Sequence, residues 1–192
     1  MTALDDAPRV HADDRDTWRT WLEANHATAT GVWLVTWRPR SGRVGLEYEA
    51  AVEEALCYGW VDSTGGRVDD DRGKLYFAPR KLRSPWAATN KARVERLMRD
   101  GRMAPAGLAA IERARANGSW EVLDSVERLE VPADLVVALE ASPAAAANFA
   151  AFPPSARKMH LSWVALAQRP ETRASRIAAI AEAAARNERI RG

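Results

Sequence analysis

The chain changes from helix to strand within residues 55–63, which read ALCYGWVDS. Upstream of this stretch, apolar side chains recur at the i, i+3, i+4 spacing of one helix face, at Tyr48, Ala51, Val52, Ala55 and Leu56. Glu47, Glu53 and Glu54 are expected to point away from that face. Gly59 ends the predicted helix, because glycine readily takes the left-handed conformation that closes helices. Residues 60–63 then predict a short extended segment.

Two further segments complete a predicted sheet. Residues 32–37, VWLVTW, are rich in β-branched and aromatic side chains and precede a turn, which is typical of a strand. Residues 74–78 form another extended segment, separated from residues 60–63 by a polar, glycine-containing loop. A small antiparallel pairing is the simplest arrangement. Before the sheet, Asp13 or Asp14 is suited to cap a helix whose apolar face includes Trp18 and Leu22.

Downstream, prolines separate a series of helical stretches. Ser84 is the predicted N-cap of the first helix, with Pro85 at its first position. Further helices are predicted after Pro105, Pro132, Pro143, Pro154 and Pro170. The fold class is therefore α+β, with a small antiparallel sheet and helices in the N-terminal half and an all-helical C-terminal half. We expect an α/β module over residues 1–125 and a helical module over residues 126–192.

Composition excludes several classes of protein. The 192 residues are 47% apolar and 28% charged, as in ordinary globular proteins. A single cysteine, Cys57, excludes an internal disulfide and a multi-cysteine zinc site, and the three histidines lack ligand spacing. We therefore predict no metal and no cofactor.

The sequence shows neither a secretory signal nor an apolar run long enough to span a bilayer, so we expect a cytoplasmic protein without a membrane span. The oligomeric state is not encoded in any recognisable pattern.

Charge is distributed unevenly along the chain. Residues 1–71 contain 7 basic and 14 acidic side chains, whereas residues 72–102 contain 10 basic and 2 acidic ones. The positive segment in the middle of the chain is the main electrostatic signal.

The first candidate site lies where the predicted helix meets the strand. Tyr58, Trp60, Asp62 and Ser63 flank a turn that can line a cleft, since binding sites combine apolar walls with a few polar groups. The alternative is that the two aromatic side chains anchor the core with hydrogen-bonded polar tips. Cys57 fits a small buried apolar side chain better than a nucleophile.

The second candidate site is in the basic segment. Cationic, polar and aromatic side chains lead into a predicted helix N-terminus, at Arg80, Lys81, Ser84, Trp86 and Asn90. Guanidinium donors and exposed helix amides together favour a phosphate or carboxylate ligand. The alternative is a solvated basic loop with an ordinary helix cap. Nucleic-acid binding remains a third hypothesis, with weaker support because the segment is short and the chain's net charge is only +2.

Catalysis has little support from motifs. The chain lacks the G-x-S-x-G, H-E-x-x-H, P-loop and G-x-G-x-x-G patterns. An enzyme hypothesis would use Asp62 as a base and Arg80 or Lys81 to stabilise a developing anion.

Several blocks resemble one known family. They are residues 54–63 (EALCYGWVDS), 79–86 (PRKLRSPW) with Asn90 and Lys91, 101–107 (GRMAPAG), 152–158 (FPPSARK) with Trp163, and 169–173 (RPETR). These blocks resemble the YdeI/OmpD-associated family, also described as bacteriocin-protection proteins. The resemblance implies a helical C-terminal portion and a role in stress or in resistance to peptide toxins, with an undefined biochemical activity. Our leading hypothesis is a binding protein for an anionic or aromatic small molecule or peptide, in a cleft between residues 58–63 and 80–90.

Overall fold

The computed structural model describes residues 6–190. The chain forms two compact units. The first unit contains the described chain up to Ser84 together with Thr89–Ser119. The second contains Pro85–Ala88 and the chain from Trp120 onward. The α+β prediction is confirmed, because the strands lie in the first unit and the described chain after Trp120 is helical.

A four-stranded sheet forms the centre of the first unit. Its strands are β1 (Arg9–His11), β2 (Val32–Trp37), β3 (Trp60–Arg67) and β4 (Arg72–Pro79), in the order β1-β2-β4-β3. β4 pairs antiparallel with both β2 and β3, so the predicted antiparallel pairing is confirmed. β1 pairs parallel with β2. A three-residue strand carries too little alternation to be recognised from sequence, which is why β1 was not predicted.

Helices of the first unit pack against this sheet and against each other. They are α1 (Arg15–Asn25), α2 (Tyr48–Cys57), α3 (Ala88–Arg99) and α4 (Pro105–Ala116). Asp14 caps α1 as predicted, since its carboxylate accepts the Thr17 backbone N–H at 2.7 Å. The α1 side chain Trp18 is buried, donates its indole N–H to the Ala51 carbonyl of α2 at 3.0 Å, and lies against Phe77 of β4. One tryptophan thus joins two helices and the sheet.

The predicted orientation of α2 is wrong at three positions. Tyr48, assigned to the apolar face, is 54% exposed, whereas Glu53 and Glu54, expected to point away from the core, are buried. The reason is that arginines from α1, from α3 and from the turn after α3 surround the two carboxylates. Buried carboxylates require such partners, and a single-helix pattern does not include them.

The predicted start of α3 is also wrong. The helix begins at Ala88, and the Ser84 N–H instead donates to the Lys81 carbonyl at 2.9 Å in a turn. Pro85 is compatible with an N-cap at Ser84, but Trp86, which the predicted first turn would contain, is buried and the helix starts only at Ala88. Ser84 therefore does not lie at a helix N-terminus.

The second unit is helical throughout its described elements from Trp120 onward. These are α5 (Asp124–Glu127), α6 (Ala133–Glu140), α7 (Pro143–Ala151), α8 (Pro154–Ala165) and α9 (Pro170–Ala185). The four proline-marked helices are confirmed, and their starts agree with the sequence to within a residue or two. Their core includes Leu135, Phe149, Leu161 and Ile180. Within residues 6–190, no helix is both long and apolar enough to cross a membrane.

Candidate functional site

The two aromatic residues of the first candidate site lie in the core. Gly59 has φ 75°, a left-handed conformation that turns the chain from α2 into β3. Trp60 is buried, and its indole N–H donates to the His26 carbonyl at 3.3 Å. The buried Tyr58 ring lies 5.0 Å from the His26 ring and 5.5 Å from the Arg19 guanidinium. These positions match the alternative in which both side chains are core anchors.

Asp62 lies on β3 just before an irregularity in its pairing. The register of β3 with β4 shifts between Asp62 and Gly65, which distorts the strand locally. The Asp62 side chain is half-buried, and its Oδ2 accepts the Tyr48 hydroxyl at 2.9 Å. Burial and this hydrogen bond to Asp62 both raise the pKa of Tyr48. Ser63, the next residue, is exposed.

Arg80 follows the end of β4 and is held by both backbone and side chain. Its backbone N–H donates to the Gly59 carbonyl at 3.0 Å, and its Nη1 donates to the Ser84 hydroxyl at 3.3 Å. Burial lowers the pKa of Arg80 to about 10, and the negative charge of Asp62 only partly opposes that shift. The guanidinium is therefore partly desolvated and lies within the electrostatic field of Asp62.

Asn90 joins the same neighbourhood through Arg93, one turn further along α3. The Asn90 side-chain oxygen accepts Arg93 Nη1 at 2.8 Å. Arg93 also binds Glu49 of α2 through Nε at 3.0 Å and Nη2 at 2.6 Å. The hydrogen bond to Glu49 raises the pKa of Arg93 more than burial lowers it, and Tyr48 and Asp62 contribute to the rise.

The structure brings together four of the nine predicted site residues. They are Asp62, Arg80, Ser84 and Asn90. Asp62 is near the centre of this group, because its negative charge contributes to the pKa shifts of Arg80, Arg93 and Tyr48. We define the candidate anion site as Tyr48, Asp62, Arg80, Ser84, Asn90 and Arg93, all in the first unit.

The other five predicted residues have different positions. Tyr58 and Trp60 are core side chains, while Ser63 and Lys81 are exposed. Trp86 belongs to the second unit, where its ring lies 5.0 Å from that of Trp120.

The sequence carries no pattern that marks Tyr48 and Arg93 as site residues. Tyr48 fitted the apolar periodicity of α2, and nothing near it in the sequence indicates that its hydroxyl reaches Asp62, fourteen residues away. Arg93 was one of ten basic residues in the positive segment. Its pairing with Glu49 spans 44 residues and depends on the packing of α3 beside α2.

The enzyme hypothesis stays a prediction at this site. Asp62 is already bound by a phenol, and Lys81 points into an exposed region after β4. Across residues 6–190, no group of three or more His, Cys, Asp and Glu side chains is placed to hold a metal ion.

Family models match two parts of the chain. The model described as a domain of unknown function (DUF8412) matches residues 10–110, more than half of the chain. The model described as bacteriocin-protection, YdeI or OmpD-associated matches residues 128–187. The resemblance inferred from sequence blocks is thereby confirmed over the helical part. The earlier blocks, from residue 54 to 107, fall within the first match. No curated protein and no solved structure shows significant similarity to the chain.

Proposed function

We propose a ligand-binding function for this chain, which belongs to the family of the domain of unknown function DUF8412 and carries a bacteriocin-protection, YdeI or OmpD-associated domain. The ligand is an anionic or aromatic small molecule or a peptide, and it binds at the candidate anion site. The protein acts in the cytoplasm, in a stress or resistance response of the kind that the second family's description names.

The partial burial of Arg80 is the observation that carries this proposal. A partly buried guanidinium is less stable in its charged form than an exposed one, and the pKa of Arg80 is lowered accordingly to about 10. An anion bound beside Arg80 would stabilise the charged guanidinium. Its binding would therefore offset the free-energy cost of burying that charge. Ser84 and Asn90 supply a hydroxyl and an amide, which orient an oxygen-containing ligand without adding charge.

Tyr48 provides the aromatic component of the site. Tyr48 is 54% exposed, and its hydroxyl donates to Asp62 Oδ2 at 2.9 Å. An exposed ring with a fixed orientation is suited to pack against an aromatic ligand, since little side-chain freedom is lost on binding. An aromatic carboxylate combines both features, with its carboxylate at Arg80 and its ring against Tyr48.

A thermal-shift series with benzoate and larger aromatic carboxylates tests the proposal. A ligand at about one hundred times its Kd stabilises a folded protein by about 2.7 kcal/mol, which is readily measured. We expect Asn90→Ala and Tyr48→Ala to reduce the ligand-induced shift. Lys81→Gln removes a nearby exposed charge outside the site and is the matched control. If wild-type protein and both site variants respond equally, the ligand does not bind at this site and the proposal is wrong.

A further inference from the structure

Two adjacent glutamates of α2 are buried beneath a group of arginines. The side chains of Glu53 and Glu54 are 7% and 0% exposed. They are bound by four arginine side chains, which we call the arginine cluster, at Arg15, Arg19, Arg96 and Arg102.

The contacts between these groups are close and cross-linked. Arg15 Nη1 donates to Glu53 Oε2 at 2.6 Å and to Glu54 Oε1 at 3.1 Å. Arg19 Nη1 donates to Glu54 Oε2 at 2.8 Å. Arg96 donates to Glu53, and Arg102 donates to Glu54. The two carboxylates thus fix the inner edges of guanidiniums from α1, from α3 and from the turn between α3 and α4.

Further contacts fix Arg19 in place. Its Nη2 donates to the Arg102 backbone carbonyl at 3.1 Å, and its guanidinium lies 5.5 Å from the centre of the Tyr58 ring. A guanidinium held at several points loses little conformational freedom when it binds a ligand.

The cluster contains more positive charge than its carboxylates neutralise. Arg96 also contacts Glu49, which Arg93 binds in turn, so five guanidiniums face three carboxylates and the group has a formal surplus of two positive charges. The four arginine side chains of the cluster carry five N–H donors each, about twenty in total, whereas the two buried carboxylates accept about eight hydrogen bonds. The buried carboxylates need some of these donors as partners, but the remaining N–H groups are not used by Glu53 or Glu54.

The arginine side chains are also accessible from solvent. Their exposed fractions are 35% for Arg15, 34% for Arg19, 44% for Arg96 and 31% for Arg102. Each of these side chains is therefore held by a buried carboxylate and is also partly exposed to solvent. Because all four guanidiniums contact Glu53 or Glu54, which are adjacent in α2, they lie close to one another.

We infer that the arginine cluster binds the phosphate group of a small molecule. A phosphate monoester carries up to two negative charges and three strong acceptor oxygens, which matches the surplus charge and the donors of several guanidiniums. Arginine forks bind phosphate with two parallel hydrogen bonds, a geometry that lysine does not provide.

Acidic neighbours favour a single phosphate over an extended polyanion. Glu49 binds Arg96 at 3.2 Å, and the exposed Glu23 on α1 lies near enough to Tyr58 to raise the pKa of that tyrosine. A nucleic-acid backbone would bring further phosphates against these carboxylates. The inference does not rest on Arg80, which carries the proposed function, although Glu49 contacts both Arg93 of that site and Arg96 of the arginine cluster.

Calorimetric titration with inorganic phosphate tests the inference, with potassium chloride at equal ionic strength as the reference. We expect phosphate to bind the wild-type protein, and Arg96→Gln to weaken binding about tenfold or more, the effect of losing a charge-assisted hydrogen bond. Arg99→Gln removes the same charge from an exposed position on the same helix and should leave phosphate affinity within about twofold. Arg96→Lys, which keeps the charge, should recover binding only in part.

Three results would overturn the inference. The first is no phosphate binding beyond the effect of chloride. The second is an equal loss of affinity in Arg96→Gln and Arg99→Gln, which would indicate a diffuse charge effect. The third is tight binding of duplex DNA that phosphate does not displace. Circular dichroism shows whether each variant is folded at the titration temperature. Asn90→Ala should keep phosphate affinity, so failure of the candidate anion site and failure of this inference are distinguishable.

Discussion

Glu53 is a buried carboxylate whose charge is balanced by arginines. Burial by itself raises the pKa of Glu53, but the hydrogen bonds from Arg96 and Arg15 outweigh it, and the net pKa is lowered. The pKa of Glu49 is also lowered, chiefly by its hydrogen bond from Arg93. Both carboxylates therefore bind protons more weakly in the folded chain than in the unfolded chain.

This difference predicts a loss of stability in acid. A carboxylate with a lowered folded pKa contributes stability above its unfolded pKa, about 4.3 for glutamate, and loses that contribution as pH falls through the folded pKa. Urea unfolding between pH 7 and pH 3 should show a steep decline for the wild-type protein and a shallower one for Glu53→Gln. Glu95→Gln, at an exposed position on α3, should follow the wild-type curve. Identical slopes for wild type and Glu53→Gln would contradict this assignment.

For single residues, the sequence identifies the charged side chains but does not show which of them form ion pairs. The buried state of Glu53 depends on Arg15 and Arg96, which lie 38 and 43 residues away in the sequence. Three of the ten basic residues in the positive segment over residues 72–102 have a structural explanation in these pairs, since Arg93, Arg96 and Arg102 bind acids of α2. Long-range pairs of this kind leave no periodic signal.

At the scale of elements, α4 is packed unusually closely onto the C-terminal end of α2. A Cβ atom placed on Gly107 would lie 2.2 Å from the Cys57 carbonyl oxygen. The Ala104 N–H, just before α4, donates to the same oxygen at 3.1 Å. The glycine thus allows one backbone to approach another, and the contact places the turn that leads into β3.

Gly107→Ala should therefore destabilise the protein by about 1–3 kcal/mol or more, because backbone atoms must move to accommodate the methyl group. Gly66→Ala is the matched control, since its new Cβ would be 3.5 Å from the flexible Lys74 side chain. Chemical unfolding measures both. A Gly107→Ala variant as stable as Gly66→Ala would show that α4 and α2 are less tightly packed than described.

Helices and strands were predicted well where local signals agree. Proline at the first helical position marked the helices that begin near Pro105, Pro143, Pro154 and Pro170. The start of α3 was wrong because the same proline signal at Pro85 is overridden by the burial of Trp86. Tertiary packing decided that boundary, and local sequence carries no information about it.

At the scale of the whole molecule, the two units are not simple consecutive halves of the chain. Pro85–Ala88 belongs to the second unit although both flanking segments belong to the first. Trp86, the large apolar residue of that segment, is 2% exposed and packs with Trp120 at 5.0 Å between ring centres. Dividing the chain into two fragments at residue 120 would therefore separate Trp86 from the rest of its unit.

Trp86→Ala should consequently destabilise the folded protein by about 3–5 kcal/mol, the typical cost of truncating a buried tryptophan. The melting temperature by circular dichroism measures the effect. Val137→Ala, at a side chain that is 69% exposed on α6, should leave the melting temperature nearly unchanged. A Trp86→Ala variant that melts with the wild type but loses its ligand response would instead make Trp86 a binding residue.

Nuclear magnetic resonance can show whether an anionic aromatic ligand binds at the candidate anion site. Backbone amide signals of the full chain would be followed during titration with benzoate and larger aromatic carboxylates. We predict saturable shifts concentrated at Asp62, Arg80, Ser84 and Asn90, with little change in α6–α9. Shifts absent from those four amides, or spread evenly over exposed basic residues, would contradict the claim.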